Sequence, residues 1–276
     1  MNYRHGYHAG NFADVFKHAV LARVLTLLGA KEAPFRVIDT HAGAGRYDLD
    51  GENAKKTGEA GNGIRKLLAN LPQGAARELL APYLLAVENS SPYYPGSPLI
   101  AQALTRKQDA MVFCELHPEE HAALEKSVGR DRRAKVLSLD GWTALKSLLP
   151  PRERRGVILI DPPYEDPAEF KRVADGIAEA MRRFATGIYL VWYPVKNRHD
   201  TDAALRRIVR AAAGKPALKL EFEIGTPKAD GPLRATGLLI VNPPWVLKDE
   251  CDLMLPALCR SLAEPNRGAV RIEAID

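Results

Sequence analysis

The chain has 276 residues, 46% of them hydrophobic and 26% charged, and a net charge of +5. That is enough for one large domain with a sizeable core, and the mildly basic balance permits an acidic partner such as nucleic acid without demonstrating one. No apolar run approaches the roughly 20 residues of a membrane span, no secretory signal is expected from the opening residues, and three scattered cysteines speak against a disulfide framework and fit a reducing cytoplasm.

Residues 1–10, MNYRHGYHAG, place Tyr3, Arg4, His5, Tyr7 and His8 among glycines. Aromatic and basic residues interleaved in this way suit stacking on bases and contacts to phosphates, and equally a frayed terminus. No cysteine or carboxylate cluster accompanies the two histidines, which argues against a metal. Asn11 is the expected N-cap of a helix supported by Asp14, with Phe12, Val15, Phe16, Ala19, Val20, Val24 and Leu27 on helical spacing and Gly29 at its end. Asp14, Lys17 and His18 cluster on this helix, and spacing by itself favours a solvated face for them. Cys114, inside an apolar run further on, reads as a buried free thiol.

Phe35–Asp39 reads as the first core strand, followed by the Gly-rich turn Thr40-His41-Ala42-Gly43-Ala44-Gly45-Arg46. Glycines there let the backbone approach a cofactor. The third glycine of a dinucleotide fingerprint is missing, and so is the Gly-Lys-Ser/Thr of a phosphate loop. Residues 48–90 interrupt the strand–helix alternation with two helical patterns, 59–70 and 74–89, read as a small helical insertion over the ligand face. Residues 110–115 form the second strand and end at Glu115, placed to accept both ribose hydroxyls of an adenosine cofactor; a helix follows His117-Pro118. Residues 134–139 form the third strand and end at Asp140-Gly141, where an acid meets an adenine amine.

Gly156–Ile160 is a fully apolar run, read as a buried strand, and it runs into Asp161-Pro162-Pro163-Tyr164. A loop at the carboxyl end of a core strand is where open α/β sheets bind ligands. Two prolines fix the backbone and leave carbonyls free to accept. Asp161 and the Pro162 carbonyl would take the two N–H groups of an exocyclic amine, and Tyr164 would stack on its ring; a plain Pro-rich turn is the alternative. Asp39, Glu115, Asp140 and Asp161 each end an apolar strand, and four in succession at one sheet edge argue for a site. Helices are expected over 167–184 and 198–213, the second with Arg206, Arg207 and Arg210 on a solvated face. Strands are expected over 186–195, over 217–224 (alternating, hence half-exposed) and over 235–242. The last ends in a second loop, Asn242-Pro243-Pro244-Trp245, but strand order favours Asp161 as the catalytic copy.

Long stretches of the chain resemble the RlmJ family of 23S ribosomal RNA adenine-N6 methyltransferases. They are His8-Ala9-Gly10-Asn11 with Ala13-Asp14-Val15 and Lys17-His18, then Asp39 through Tyr47, Tyr93 through Ala101, Glu115-Leu116-His117-Pro118, Arg154-Arg155-Gly156 and Ile160 through Glu165. The resemblance runs from about Tyr3 to Trp245 and is less clear over 48–90. It implies a Rossmann-like S-adenosylmethionine-dependent methyltransferase fold, a seven-stranded mixed sheet with a small helical insertion subdomain, within a single domain. Carried over residue by residue, it puts His18, His41, Gly43, Ser97, Glu115, Asp140, Gly141 and Asp161 at the cofactor. It puts Asp161, Pro162 and Tyr164 at the chemistry, and Tyr3, Arg4 and Tyr164 near the substrate. S-adenosylmethionine is the expected cofactor, with no metal. The expected partner is 23S ribosomal RNA, and the protein is expected to be a cytoplasmic monomer with no membrane attachment. Within the class, guanine N2 and cytosine N4 suit the same loop. From other classes, a nicotinamide-dependent oxidoreductase and a non-catalytic RNA-binding module compete; the missing glycine and the intact set of strand-end acids oppose them.

Overall fold

The computed structural model describes residues 5–51, 56–227 and 231–275. Tyr3 and Arg4 lie outside the described residues. The sheet is built from β1 (Arg36–Asp39), β4 (Ala110–Cys114), β5 (Ala134–Leu137), β6 (Gly156–Ile160), β7 (Ile188–Pro194), β8 (Ala217–Glu223), β9 (Ala235–Val241) and β10 (Ala269–Ile275), in the order β10-β8-β9-β7-β6-β1-β4-β5. From β5 to β7 the strands are parallel; β9, β8 and β10 join antiparallel. A separate two-stranded ladder pairs β2 (Arg46–Tyr47) with β3 (Tyr94–Pro95).

The strand sequences are apolar on both faces because helices cover both. Successive side chains alternate sides. Val157 and Leu159 join one core layer with α1 (Phe12–Gly29), α3 (Ala75–Ser90), α4 (Ser97–Leu104), α5 (Pro118–Val128) and α9 (Leu247–Leu262). Ile158 and Ile160 join the other with α6 (Gly141–Ser147), α7 (Glu169–Arg183) and α8 (Arg198–Ala211). Cys114, Cys251 and Cys259 are buried free thiols.

Three expectations change. The main sheet has eight strands, not seven, because Ala269–Ile275 pairs along the whole of β8. That strand, expected to be half-exposed, is buried at six of its seven positions. Its polar members survive burial through ion pairs: Arg198 and Arg271 on Glu221 and Glu223, and Lys219 on Glu273 at 2.8 Å. Third, Asp14, Lys17 and His18 do not face solvent; α1 is buried around nearly its whole circumference, and all three are at most 4% exposed. The Asn11 cap accepts from the Asp14 amide at 2.9 Å, as expected. Arg206, Arg207 and Arg210 of α8 are exposed.

Within 48–90, α2 (Ile64–Ala69) and α3 follow a short 3-10 turn, Glu59–Asn62. Leu80, Tyr83 and Val87 of α3 are buried, and the helix packs mainly against α1 and α9. The polar turn, not the helices, faces the cavity described below.

Antiparallel β9 settles the place of the second Pro-Pro loop. Val241 pairs with Tyr189 at the start of β7, and Thr236 with Pro194 at its end. Asn242 therefore leaves the sheet at the edge opposite Asp161. It adopts φ +54° and donates through Nδ2 to the carbonyls of Ala185 and Gly187 at 3.0 and 2.7 Å. Asn242→Ala is expected to cost about 1–3 kcal/mol, from two lost hydrogen bonds and a left-handed alanine. Urea unfolding checks that loss, and turnover of the folded variant should stay at the wild-type level.

Candidate active site

A cavity of about 600 Å³ opens at the carboxyl edge of the parallel strands. Small-molecule sites fall in this size range. Its walls include His18, His41, Gly43, Ser97, Glu115, Asp140, Gly141, Asp161, Pro162 and Tyr164. Every sequence-predicted site residue among the described residues thus reaches one cavity, drawn from α1 and from the loops after β1, β3, β4, β5 and β6.

The loop after β6 forms one half. Tyr164 takes a left-handed conformation, φ +51°, which turns its ring back onto the protein. Its hydroxyl donates to the Trp192 carbonyl at 2.8 Å, and its ring packs on Phe170 and Trp192 at centroid separations of 4.7 and 5.8 Å. Asp161 Oδ2 receives Lys17 Nζ at 2.5 Å. Lys17 also meets Asp14 Oδ1 at 3.0 Å, and Asp14 Oδ2 accepts the Gly10 amide at 2.9 Å. Burial works against the Lys17 charge, but Asp161 and Asp14 outweigh it and hold the ammonium well above the ordinary lysine range. Asp161 Oδ1 accepts no hydrogen bond among the described residues.

The Gly-rich turn forms the other half. Gly43 has φ +61°, and a Cβ there would stand 2.3 Å from Tyr47 Oη, so only glycine fits. The Gly43 amide donates to Glu115 Oε2 at 2.9 Å, while Oε1 accepts from the His117 amide at 2.8 Å. These bonds aim the carboxylate into the cavity and leave one lone pair on each oxygen. Asp140 caps α6 through Oδ2, accepting from the Thr143 amide at 2.8 Å. A Cβ on Gly141 would sit 2.6 Å from the Thr40 carbonyl, so glycine lets this loop close on the β1 turn.

Asp39 is buried and does not line the cavity. It lies one layer back, accepting from Ser97 Oγ at 2.6 Å and the His41 amide at 3.2 Å. Burial raises it to about 6, against the pull of those two donors. Of the four strand-end acids, three face the cavity and this one holds the turn in place. Burial lowers His41 to about 4. Thr40 Oγ1 spends its proton on the Leu159 carbonyl at 3.0 Å, so His41 Nδ1, 2.8 Å from that oxygen, is the donor and Nε2 carries the lone pair. His18 Nδ1 lies 2.8 Å from Tyr94 Oη, which lies 3.1 Å from Tyr83 Oη.

Sequence reasoning missed Lys17, Glu59, Glu169, Trp192 and Lys196, all of which line the cavity. Lys17 had a usable signal: a cation three residues after Asp14 on an otherwise apolar helix. Glu59 had none; it reaches His8 Nδ1 at 2.9 Å and Asn11 Nδ2 at 3.0 Å only because the chain folds back. Its hydrogen bond holds His8 above the ordinary histidine range. Among the described residues there is no group of three or more metal-ligating side chains, and no helix long and apolar enough to cross a membrane.

A parallel sheet edge with a Gly-x-Gly turn, strand-end acids and an Asp-Pro-Pro-Tyr loop in one cavity defines the class, a methyltransferase of Rossmann-like fold. The family described as "Ribosomal RNA large subunit methyltransferase D, RlmJ" matches residues 32–275. The chain belongs to that family, and with it to the enzymes that methylate ribosomal RNA. It is 40% identical to ribosomal RNA large subunit methyltransferase J of Escherichia coli (strain K12) and 38% identical to that of Haemophilus influenzae, covering all of this chain and 99% of each relative. A crystal structure of a Legionella pneumophila protein, 36% identical, superposes with a TM-score of 0.87 over 97% of this chain and 98% of that one. A probable spermidine synthase from Corynebacterium glutamicum, 12% identical, shares the fold at a TM-score of 0.51 over 97% of this chain and 77% of that one.

Two outcomes follow from the geometry. Lys17→Met leaves Asp14 and Asp161 buried without their cation, and is expected to cost about 3–5 kcal/mol of stability, seen as a lower thermal midpoint. His41, held neutral by burial, contributes stability that is complete above pH 6.5 and lost as pH falls toward 4. The stability gap between wild type and His41→Gln should therefore shrink as pH falls through that window in denaturant titrations.

Proposed function

We propose that the protein transfers the methyl group of S-adenosylmethionine to the N6 amine of an adenine in 23S ribosomal RNA. One observation carries this reading: two acceptors for an exocyclic amine, Asp161 Oδ1 and the Pro162 carbonyl, share a cavity with the strand-end acids Glu115 and Asp140. The donor set fits the cofactor. Glu115 offers a lone pair on each oxygen to two ribose hydroxyls, Asp140 meets the adenine amine, and Gly43 leaves room where a side chain would collide. His18, His41, Ser97 and Gly141 complete the same wall.

Bound there, the cofactor supplies an electrophilic methyl on a sulfonium. The residues do the rest by placement. The N6 lone pair is delocalised into the ring, and holding both N–H groups at Asp161 and Pro162 draws the nitrogen toward tetrahedral geometry. As the N–C bond forms and the C–S bond breaks, the carboxylate faces the positive charge developing on N6. Lys17 on Oδ2 fixes the direction of the carboxylate and leaves Oδ1 for the amine. The proton released from N6 passes to water. Tyr164, held by Trp192 and Phe170, would flank the base once it leaves its stack. Tyr3 and Arg4 are read as substrate contacts, and the 48–90 segment as the helical subdomain that docks RNA. A cytoplasmic monomer that needs no metal belongs to the same reading.

The test is transfer of labelled methyl from S-adenosylmethionine to 23S ribosomal RNA lacking modification, followed by nucleoside analysis. N6-methyladenosine is expected. Label in N2-methylguanosine or N4-methylcytidine would move the base, and no label would overturn the substrate. Asp161→Ala should lose at least about 100-fold in rate, as for loss of one group that stabilises transition-state charge, while still binding the cofactor in calorimetry.

A further inference from the structure

One carboxyl in the cavity wall is left without a hydrogen-bonding partner. Glu169 is the first residue of α7, is 4% exposed and lines the cavity. Among the described residues its carboxylate accepts no hydrogen bond. The nearest cation is Arg172, Nη1 to Oε1 at 3.8 Å, and that guanidinium is exposed and turned to Asp166 at 2.8 Å. The start of a helix favours an acid electrostatically, yet that does not fill the lone pairs of a carboxylate buried away from water. Buried polar groups in folded proteins have partners.

The surroundings of Glu169 say which end of the cavity it serves. Trp142, two residues past Asp140, packs onto α7, where a Cβ at Gly176 would stand 3.0 Å from Trp142 Cε3. Gly176 lies two turns beyond Glu169 on the same side of the helix. Burial first, then Asp166 and Asp140, raise Glu169 against the opposing Arg172 charge. Asp161 is not among the charges acting on it. Glu169 therefore looks across the cavity at Asp140, away from the Lys17–Asp161 pair.

We propose that Glu169 is a second acceptor for the exocyclic amine of the cofactor's adenine, working beside Asp140. The inference rests on the S-adenosylmethionine reading above. An aromatic amine offers two N–H donors. Asp140 spends Oδ2 on capping α6 and keeps Oδ1 for one of them; Glu169, otherwise unpaired, takes the other. A purine with oxygen at that position would set a carbonyl against two acids, so the pair reads the amine as well as binding it.

Calorimetry of the full-length protein with S-adenosylhomocysteine and with its 6-oxo analogue, S-inosylhomocysteine, tests this. Glu169→Ala is expected to bind S-adenosylhomocysteine about 3- to 10-fold more weakly, the worth of one hydrogen bond, with no loss for the 6-oxo ligand. Glu169→Gln keeps an acceptor oxygen and should stay within about 3-fold of wild type. Equal affinity of wild type and Glu169→Ala for S-adenosylhomocysteine would overturn the assignment, and so would the same loss for both ligands, since a merely structural role does not distinguish an amine from a carbonyl. If wild type binds neither ligand, the cofactor reading itself falls and this falls with it. Should Glu169→Ala fail to fold, Glu169→Leu, closer in volume, carries the same comparison.

Discussion

The buried charge cluster of Lys17, Asp14 and Asp161 is the constraint on which the rest of the site depends. It ties the first turns of α1 to the loop after β6, two segments 144 residues apart in sequence. Two carboxylates and one ammonium in a dry environment are tolerable only when each meets its partner closely. The cluster therefore fixes the position of α1 on the sheet edge, and with it the wall that carries His18. It also fixes which oxygen of Asp161 faces the cavity.

A second layer of polar contacts stiffens the opposite half. Asp39 holds Ser97 and the His41 amide, Glu115 holds Gly43 and the amide of His117, and Asp140 caps α6. Each acid thus has a structural bond and a face left for a ligand, apart from Asp39, which has only the structural part. This resolves the competition between capping and binding that strand-end acids pose in a sequence: for Asp140 both hold at once. Shape enters where glycine permits it, at Gly43 and Gly141, which let three loops close to within van der Waals contact.

The two Pro-Pro loops show how topology decides between like motifs. Both follow an apolar strand, and both carry an amide or carboxylate, two prolines and an aromatic ring. Only the direction of the strand separates them. Asp161 leaves a parallel strand at the cavity edge; Asn242 leaves an antiparallel one at the other edge and spends its side chain on the Ala185 and Gly187 carbonyls.

The sequence by itself determined the elements and much of the site, because these depend on local patterns. Buried strands read as short apolar runs, the Asn11 cap and the Gly-rich turn have local signatures, and an acid after a strand marks the sheet edge that ligands use. Tertiary structure alone decided the rest. The eighth strand, β10, was passed over because an edge strand with charged members lacks the apolar run of the others, and its stability comes from Arg271 meeting Glu221 and Glu223 on β8. That Asp14, Lys17 and His18 face a cavity and not water could not be read from helical spacing, which is the same for a buried polar stripe and a solvated one. Their partners come from the loop after β6, the turn before α1 and β3. A charge is buried or exposed according to what distant segments bring to it, and that is a property of the folded chain.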